Sequence, residues 1–141
     1  MFLQPKKTKH KKLQKGVLRK SNLKNSFLLK GFYGLKAQES GSISAKQLEA
    51  ARQAIARKMK KKGKIWVRVW PRLPITRKPN ETRMGKGKGA VHYWVSRITN
   101  GNIIFELSDI PHKAAITSFR TGAAKLPVKT KVIKRERIKI K

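Results

Sequence analysis

The residues best placed to do chemistry lie at 83–90: Arg83-Met84-Gly85-Lys86-Gly87-Lys88-Gly89-Ala90. Alternating glycine and lysine suit a phosphate. The glycines let the backbone come close and expose its N–H groups, and the lysines add point charge. The alternative is an ordinary flexible basic loop. Gly85-x-Gly87-x-x-Ala90 formally matches a dinucleotide fingerprint, but that fingerprint follows a strand and opens a helix. Here it follows a proline-rich stretch and opens a strand. No Gly-Lys-Ser/Thr occurs, so a P-loop is excluded too.

Other chemistries lack their residues. Cysteine is absent, which removes disulfides, thiolate zinc sites, iron–sulfur clusters and thiol nucleophiles. His10, His92 and His112 are scattered, without metal-ligand spacing. Ser96, Ser108 and Ser118 have no nucleophile-elbow motif around them, and 6 carboxylates leave little for paired acid–base work. No enzyme, cofactor or metal is expected. Trp66, Trp70, Tyr93, Trp94 and Phe105 could stack on bases; their placement in strand-like segments favours core packing.

These residues must be positioned by a small fold. Phe27 to Ala37 (FLLKGFYGLKA) reads as a bent strand that Gly41 breaks. Ser44 to Lys62 is a helix: Ser44 and Gln47 form a capping box, Leu48, Ala51, Ile55 and Met59 make one apolar stripe, and Gly63 supplies the C′ position. Lys64 to Trp70 (KIWVRVW) is a strand with two largely apolar faces, expected to be central. Arg68 within it is expected to be edge-facing or paired. Residues 71–89, with Pro71, Pro74 and Pro79, read as a long functional loop. Ala90–Ile98 and Ile103–Ser108 flank Thr99-Asn100-Gly101-Asn102, which predicts a hairpin. Pro111 to about Lys125 is a second helix, with Ala115, Phe119 and Ala123 as its stripe and Asp109 near its N-terminus. Val128–Ile133 is a last strand. The expected fold is a single α+β domain, two helices on a mixed or antiparallel sheet. Its expected parts are a basic arm over 1–24, a globular domain over 25–134 and a basic tail over 135–141.

The chain has 141 residues, 37 of them Lys or Arg, and a formal net charge of +31. That length fits one domain. A free chain this basic repels itself and is expected to be stable mainly beside a polyanion. The longest apolar runs fall far short of the ~20 residues a spanning helix needs, and lysine interrupts the N-terminus too early for a secretory signal. No RRM, KH, zinc-finger or helix-turn-helix signature occurs. Basic residues fall in the arm, the first helix, the 71–89 loop and the tail, all around the domain. A duplex touches one side of a protein, whereas folded RNA can enclose it, so structured RNA is preferred. A free-standing RNA chaperone or nucleoid protein is the main alternative. A membrane-active cationic protein is weaker, because Leu48, Ile55 and Met59 are too few to insert deeply.

The segment GKIWVRVWPRLPITRKPNETRMGKGKGAVHYWV (Gly63 to Val95) closely resembles the bacterial-type L-sixteen family of large-subunit ribosomal proteins. So do QPKKTKHKKLQKG (Gln4 to Gly16), GLKA (Gly34 to Ala37), SAKQLEAARQAIAR (Ser44 to Arg57), IIFELSDIP (Ile103 to Pro111) and AAKLPVKTK (Ala123 to Lys131). The resemblance implies an α/β-hammerhead-like fold. It also implies a non-catalytic role in the large subunit, binding rRNA near the peptidyl-transferase region and the aminoacyl-tRNA site and helping to position tRNA. Neighbouring ribosomal proteins are implied partners. It carries over as candidate rRNA-binding residues Lys6, Lys7, Lys9, Lys11, Lys12, Lys15, Arg52, Lys60, Lys61, Lys62, Lys129 and Lys131. The tRNA-proximal loop is Arg83, Met84, Gly85, Lys86, Gly87, Lys88 and Gly89. Two stretches depart from the family. Residues 17–30 replace its Arg/Gly-rich stretch, and KRERIKIK runs past its usual end. The chain opens at the family start, so a cleaved import signal is expected to be either gone or never to have existed. Lysine over arginine, with plentiful Ile and Asn, suits an AT-rich genome. An organelle-encoded mitochondrial protein fits best, with a plastid or a low-GC bacterium as alternatives and GKGKG leaning against the plastid.

Overall fold

A computed structural model describes residues 4–18, 25–60 and 62–135. Nine elements follow one another: β1 (Tyr33–Ala37), β2 (Gly41–Ser44), α1 (Ala45–Lys58), β3 (Lys64–Val67), β4 (Leu73–Arg77), β5 (Ala90–Ile98), β6 (Ile103–Ser108), α2 (His112–Ala123) and β7 (Thr130–Lys134). They form a single α+β domain with two antiparallel sheets, one ordered β3-β6-β1-β7 and the other β2-β5-β4.

Helix α1 starts as its sequence dictates. The Ser44 hydroxyl accepts from the Gln47 N–H at 3.2 Å and the Gln47 side chain accepts from the Ser44 N–H at 2.9 Å. Its stripe of Leu48, Ala51, Ile55 and Met59 is buried. The helix stops earlier than the sequence suggests: Met59 is the C-cap and Lys60, at φ 51°, takes the left-handed position expected of Gly63. Helix α2 buries Ala115, Phe119 and Gly122, with Ala123 half-buried. At Gly122 the two helices meet so closely that a Cβ would sit 2.4 Å from Ile55 Cγ1. Both helices contribute to one core with Leu35, Ile104, Phe105 and Leu107.

Four further expectations fail. The segment 71–89 is not all loop, because Leu73–Arg77 is a strand paired with β5. Pro74 hid it. A proline is tolerated on an edge strand, and β4 is one. The second is Gly41, which opens β2 rather than ending a strand, and Phe27–Phe32 has no strand structure. Third, β3 is an edge strand; the central places belong to β1 and to β6, which is buried at every position. Finally, β5 and β6 do not pair with each other. The Asn-Gly turn is real, with Gly101 at φ 92° and the Asn102 N–H bonded to Thr99 O at 3.1 Å. It is a corner between the two sheets, because the Gly101 N–H donates to Ala37 O and the Ala37 N–H to Asn102 O. The Asn100 N–H also donates to Ser40 Oγ at 3.1 Å, so the β1–β2 corner lies beside it.

Candidate nucleic-acid interface

The true hairpin of the molecule is β4–β5, with Arg77 opposite Ala90. Residues 78–89 close it, so the glycine–lysine finger projects from a paired base. Gly89 sits at that base, where a Cβ would meet Arg77 O at 2.5 Å. Gly85 and Gly87 have φ of 93° and 86° with nothing within 4 Å of an added Cβ, and Lys86 is at φ 53°. Three successive residues with positive φ at the tip fix its shape through conformation and not through packing. Met84, at 96% exposure, stands fully in solvent. Arg83, Lys86 and Lys88 are exposed too.

The arm is not independent of this hairpin. Residues 4–18 have no regular secondary structure, yet Lys12 Nζ donates to Lys88 O at 2.7 Å and Lys88 Nζ to Leu13 O at 2.6 Å. Further along, Arg97 of β5 donates to Gly16 O at 3.2 Å. The arm therefore lies along the three-stranded sheet. Lys6, Lys7, Lys9, Lys11, Lys12 and Lys15 are all exposed on it. Arg72, Arg77, Lys78, Arg83, Lys86, Lys88 and Arg97 add to this charge, against the single acid Glu81 in residues 72–97.

The remaining candidates lie on other elements. Lys60 and Lys62 are exposed past the end of α1, and Lys129 and Lys131 are exposed at β7. Arg52 is committed already: its guanidinium grips Glu49 through both oxygens, at 2.6 and 3.0 Å. That bond holds the Glu49 carboxyl below its ordinary range. Lys61, arm residues 1–3 and 19–24, and tail residues 136–141 lie outside the described residues.

Other carboxylates are consumed in the same way. Glu39 pairs with Lys129 at 3.1 Å. Glu106, fully buried on β6, pairs with Arg68 and accepts the backbone N–H groups of Leu29, Lys30 and Gly31 at 3.2, 2.7 and 2.7 Å. Burial pushes its carboxyl up, but the three N–H donors and the Arg68 charge together outweigh burial and hold it below the ordinary value. Arg68 is thus paired, as expected. The anchor was missed in the sequence. Its signal is a lone acid inside the apolar run Ile103–Ser108, which no neighbour in sequence can satisfy. Glu106 fastens the segment that leads out of the arm.

The aromatics are less buried than strand placement suggests. Phe105 is in the core, but Trp70 is 39% and Tyr93 42% exposed, while Trp66 and Trp94 are half-buried. Trp70 and Trp94 border the arm, while Tyr93 and Trp94 also line a cleft against α1 beside Ala45, Glu49 and Ala50. Among the described residues, no group of His, Asp or Glu could hold a metal ion and no helix is long and apolar enough to cross a membrane.

The profile of the family described as "Ribosomal protein L16p/L10e" matches residues 5–133. The protein named large ribosomal subunit protein uL16 of Bartonella bacilliformis is 51% identical over 134 residues, which covers 95% of this chain and 98% of that protein. The protein of the same name from Caulobacter vibrioides is 50% identical over 134 residues, covering 95% of this chain and 94% of its own length.

Proposed function

Since the chain belongs to the ribosomal protein L16p/L10e family, and is a structural, non-catalytic constituent of the large ribosomal subunit, we propose that it binds large-subunit rRNA near the peptidyl-transferase centre and aminoacyl-tRNA site and helps position tRNA during translation. The observation that carries this reading is the hairpin tip. It is a solvated Gly-Lys finger with positive φ at Gly85, Lys86 and Gly87, tied at Lys88 to a lysine-rich arm. Fixed N–H groups and cations that no carboxylate neutralises suit an RNA phosphate or a tRNA acceptor end. The arm over 1–24, with Lys6 to Lys15, is the rRNA-threading part; Arg83 to Gly89 faces tRNA; and Lys60, Lys61, Lys62, Lys129 and Lys131 contact rRNA from other sides. Arg52, held by Glu49, and Lys129, paired with Glu39, contribute less than the other lysines. The tail over 135–141 lies beyond the domain of 25–134.

Both relatives named above are bacterial. The compartment proposed is the mitochondrion, on the lysine-rich composition; a plastid or a bacterial cytoplasm is the competing reading. Co-sedimentation tests the function: the protein is expected in large subunits. Its presence only in the soluble or DNA fraction, with large subunits lacking it, would overturn the reading. Cell fractionation by compartment decides the location.

A further inference from the structure

The arm does more than carry charge. Where it crosses the three-stranded sheet it leaves a cleft of about 430 Å³. Trp70, Arg72 and Trp94 line it from the sheet, and Lys7, Lys9 and His10 line it from the arm. No carboxylate lines it. Trp70, the last residue before Pro71, keeps 39% of its surface exposed there, although an indole of that size is normally covered. The volume lies in the range of sites that take a single small ligand.

We propose that this cleft is a stacking pocket for one unpaired nucleotide of RNA, with the base against Trp70 and its phosphate held by Lys7, Lys9 and Arg72. The chemistry selects that ligand class. A flat π-face satisfies the indoles, an anion satisfies the cations, and a nucleotide offers both. A paired base has its faces covered by its neighbours in the duplex and cannot enter, so the ligand is a bulged, looped or single-stranded residue. The bonds of Lys12, Lys88 and Arg97 to the arm and hairpin keep the cleft's two walls together. This inference rests on the rRNA-binding reading and adds to it a contact to a base, which phosphate binding alone lacks.

The test uses the full-length protein and short fluorescein-labelled oligoadenylate, either single-stranded or annealed to oligouridylate, at one salt concentration. Trp70→Leu is expected to weaken single-strand binding roughly tenfold while duplex binding stays within about twofold. Trp70→Phe, which retains a ring, is expected to recover most of the loss. In the unmodified protein the single strand should quench tryptophan fluorescence and the duplex should not. Arg72→Gln, at an exposed position, supplies a second variant if Trp70→Leu does not fold; it too should weaken the single strand more than the duplex. Equal losses on both RNAs, or none on either, overturn the pocket and leave the rRNA-binding reading standing. Failure of the unmodified protein to bind either RNA overturns both. If Trp70→Leu binds both RNAs normally but no longer retains a neighbouring protein in the particle, the cleft seats a protein side chain and the proposal is wrong.

Discussion

Lys12 and Lys88 are latched through each other's surroundings: the ammonium of Lys12 bonds the carbonyl of Lys88, and that of Lys88 bonds the carbonyl of Leu13. Lys86, two residues away, has no such bond among the described residues. The two finger lysines are therefore not equivalent. Lys88→Ala removes the bond to Leu13 O but keeps the carbonyl that Lys12 bonds, so it is expected to loosen the arm, raising its cleavage by trypsin several-fold in the free protein, since one such bond is worth about 1 kcal/mol net. Lys86→Ala should leave that rate unchanged. Neither should move the thermal unfolding midpoint, because both residues are exposed.

The finger itself is expected to act on tRNA more than on assembly. Lys86→Ala in reconstituted large subunits should lower tRNA affinity while the protein still incorporates through its arm. Gly87→Val should be worse. Space is not the reason, since nothing lies within 4 Å; φ is 86°, which costs a β-branched residue about 1–2 kcal/mol and reshapes the tip. Normal tRNA binding combined with failed incorporation would make the finger an anchor instead.

Glu106→Gln is expected to be among the most damaging single changes. The amide would turn one donor toward groups that are themselves donors, leaving Arg68 or an N–H of residues 29–31 unsatisfied. Breaking a buried pair this way costs about 3–5 kcal/mol, a large share of the roughly 5–15 kcal/mol of a typical domain. Urea midpoints measure it. The pH dependence has a definite sign. The folded-state carboxyl titrates below its ordinary 4.5, so its contribution is complete above that pH and is lost as pH falls through the lower folded value. Acid should destabilise the unmodified protein below about pH 4.5, and that component should be missing in Glu106→Gln.

Gly122→Ala tests the helix contact. Alanine raises helix propensity by about 1 kcal/mol, but its Cβ would press on Ile55 Cγ1 and Cδ1, which are fully buried and have nowhere to go. Overpacking of this kind costs about 1–3 kcal/mol, so the net change in urea midpoint should be destabilising. Adding Ile55→Val, which removes Cδ1, should recover part of it.

Binding of RNA by the isolated protein should depend steeply on salt. Neutralising roughly ten phosphates gives a log–log slope near −9 on duplex and about −7 on single strands. A slope near −2 would mean that most of the arm lysines do not touch phosphate.

What could be read from the sequence was what local chemistry determines. Ser44 and Gln47 announce the start of α1 because a capping box needs only four consecutive residues. The stripe from Leu48 to Met59 is equally local. What stayed hidden depends on partners far along the chain. Pro74 looks like a loop residue until β4 proves to be an edge strand. Glu106 looks like an intruder until Leu29, Lys30 and Gly31 return to it across 75 to 77 positions. Asn100-Gly101 carries the same turn chemistry in a hairpin and in a corner, and only the pairing of the strands on either side separates the two. In the candidate site, the finger was legible because glycine and lysine alternate. Its latch to the arm was not, since it runs through backbone carbonyls, which every residue has.

The paired corners set different tolerances to length at different places in the chain. The chain passes from one sheet to the other at residues 38–40 and again at 99–102, and the Asn100–Ser40 bond holds these passages side by side. An extra residue in either would displace strands in both sheets, turning the buried side of one toward solvent. The 78–89 connection closes only the β4–β5 pair. Its reach could lengthen or shorten, and its tip could change to meet a different RNA, without moving a single residue of the core.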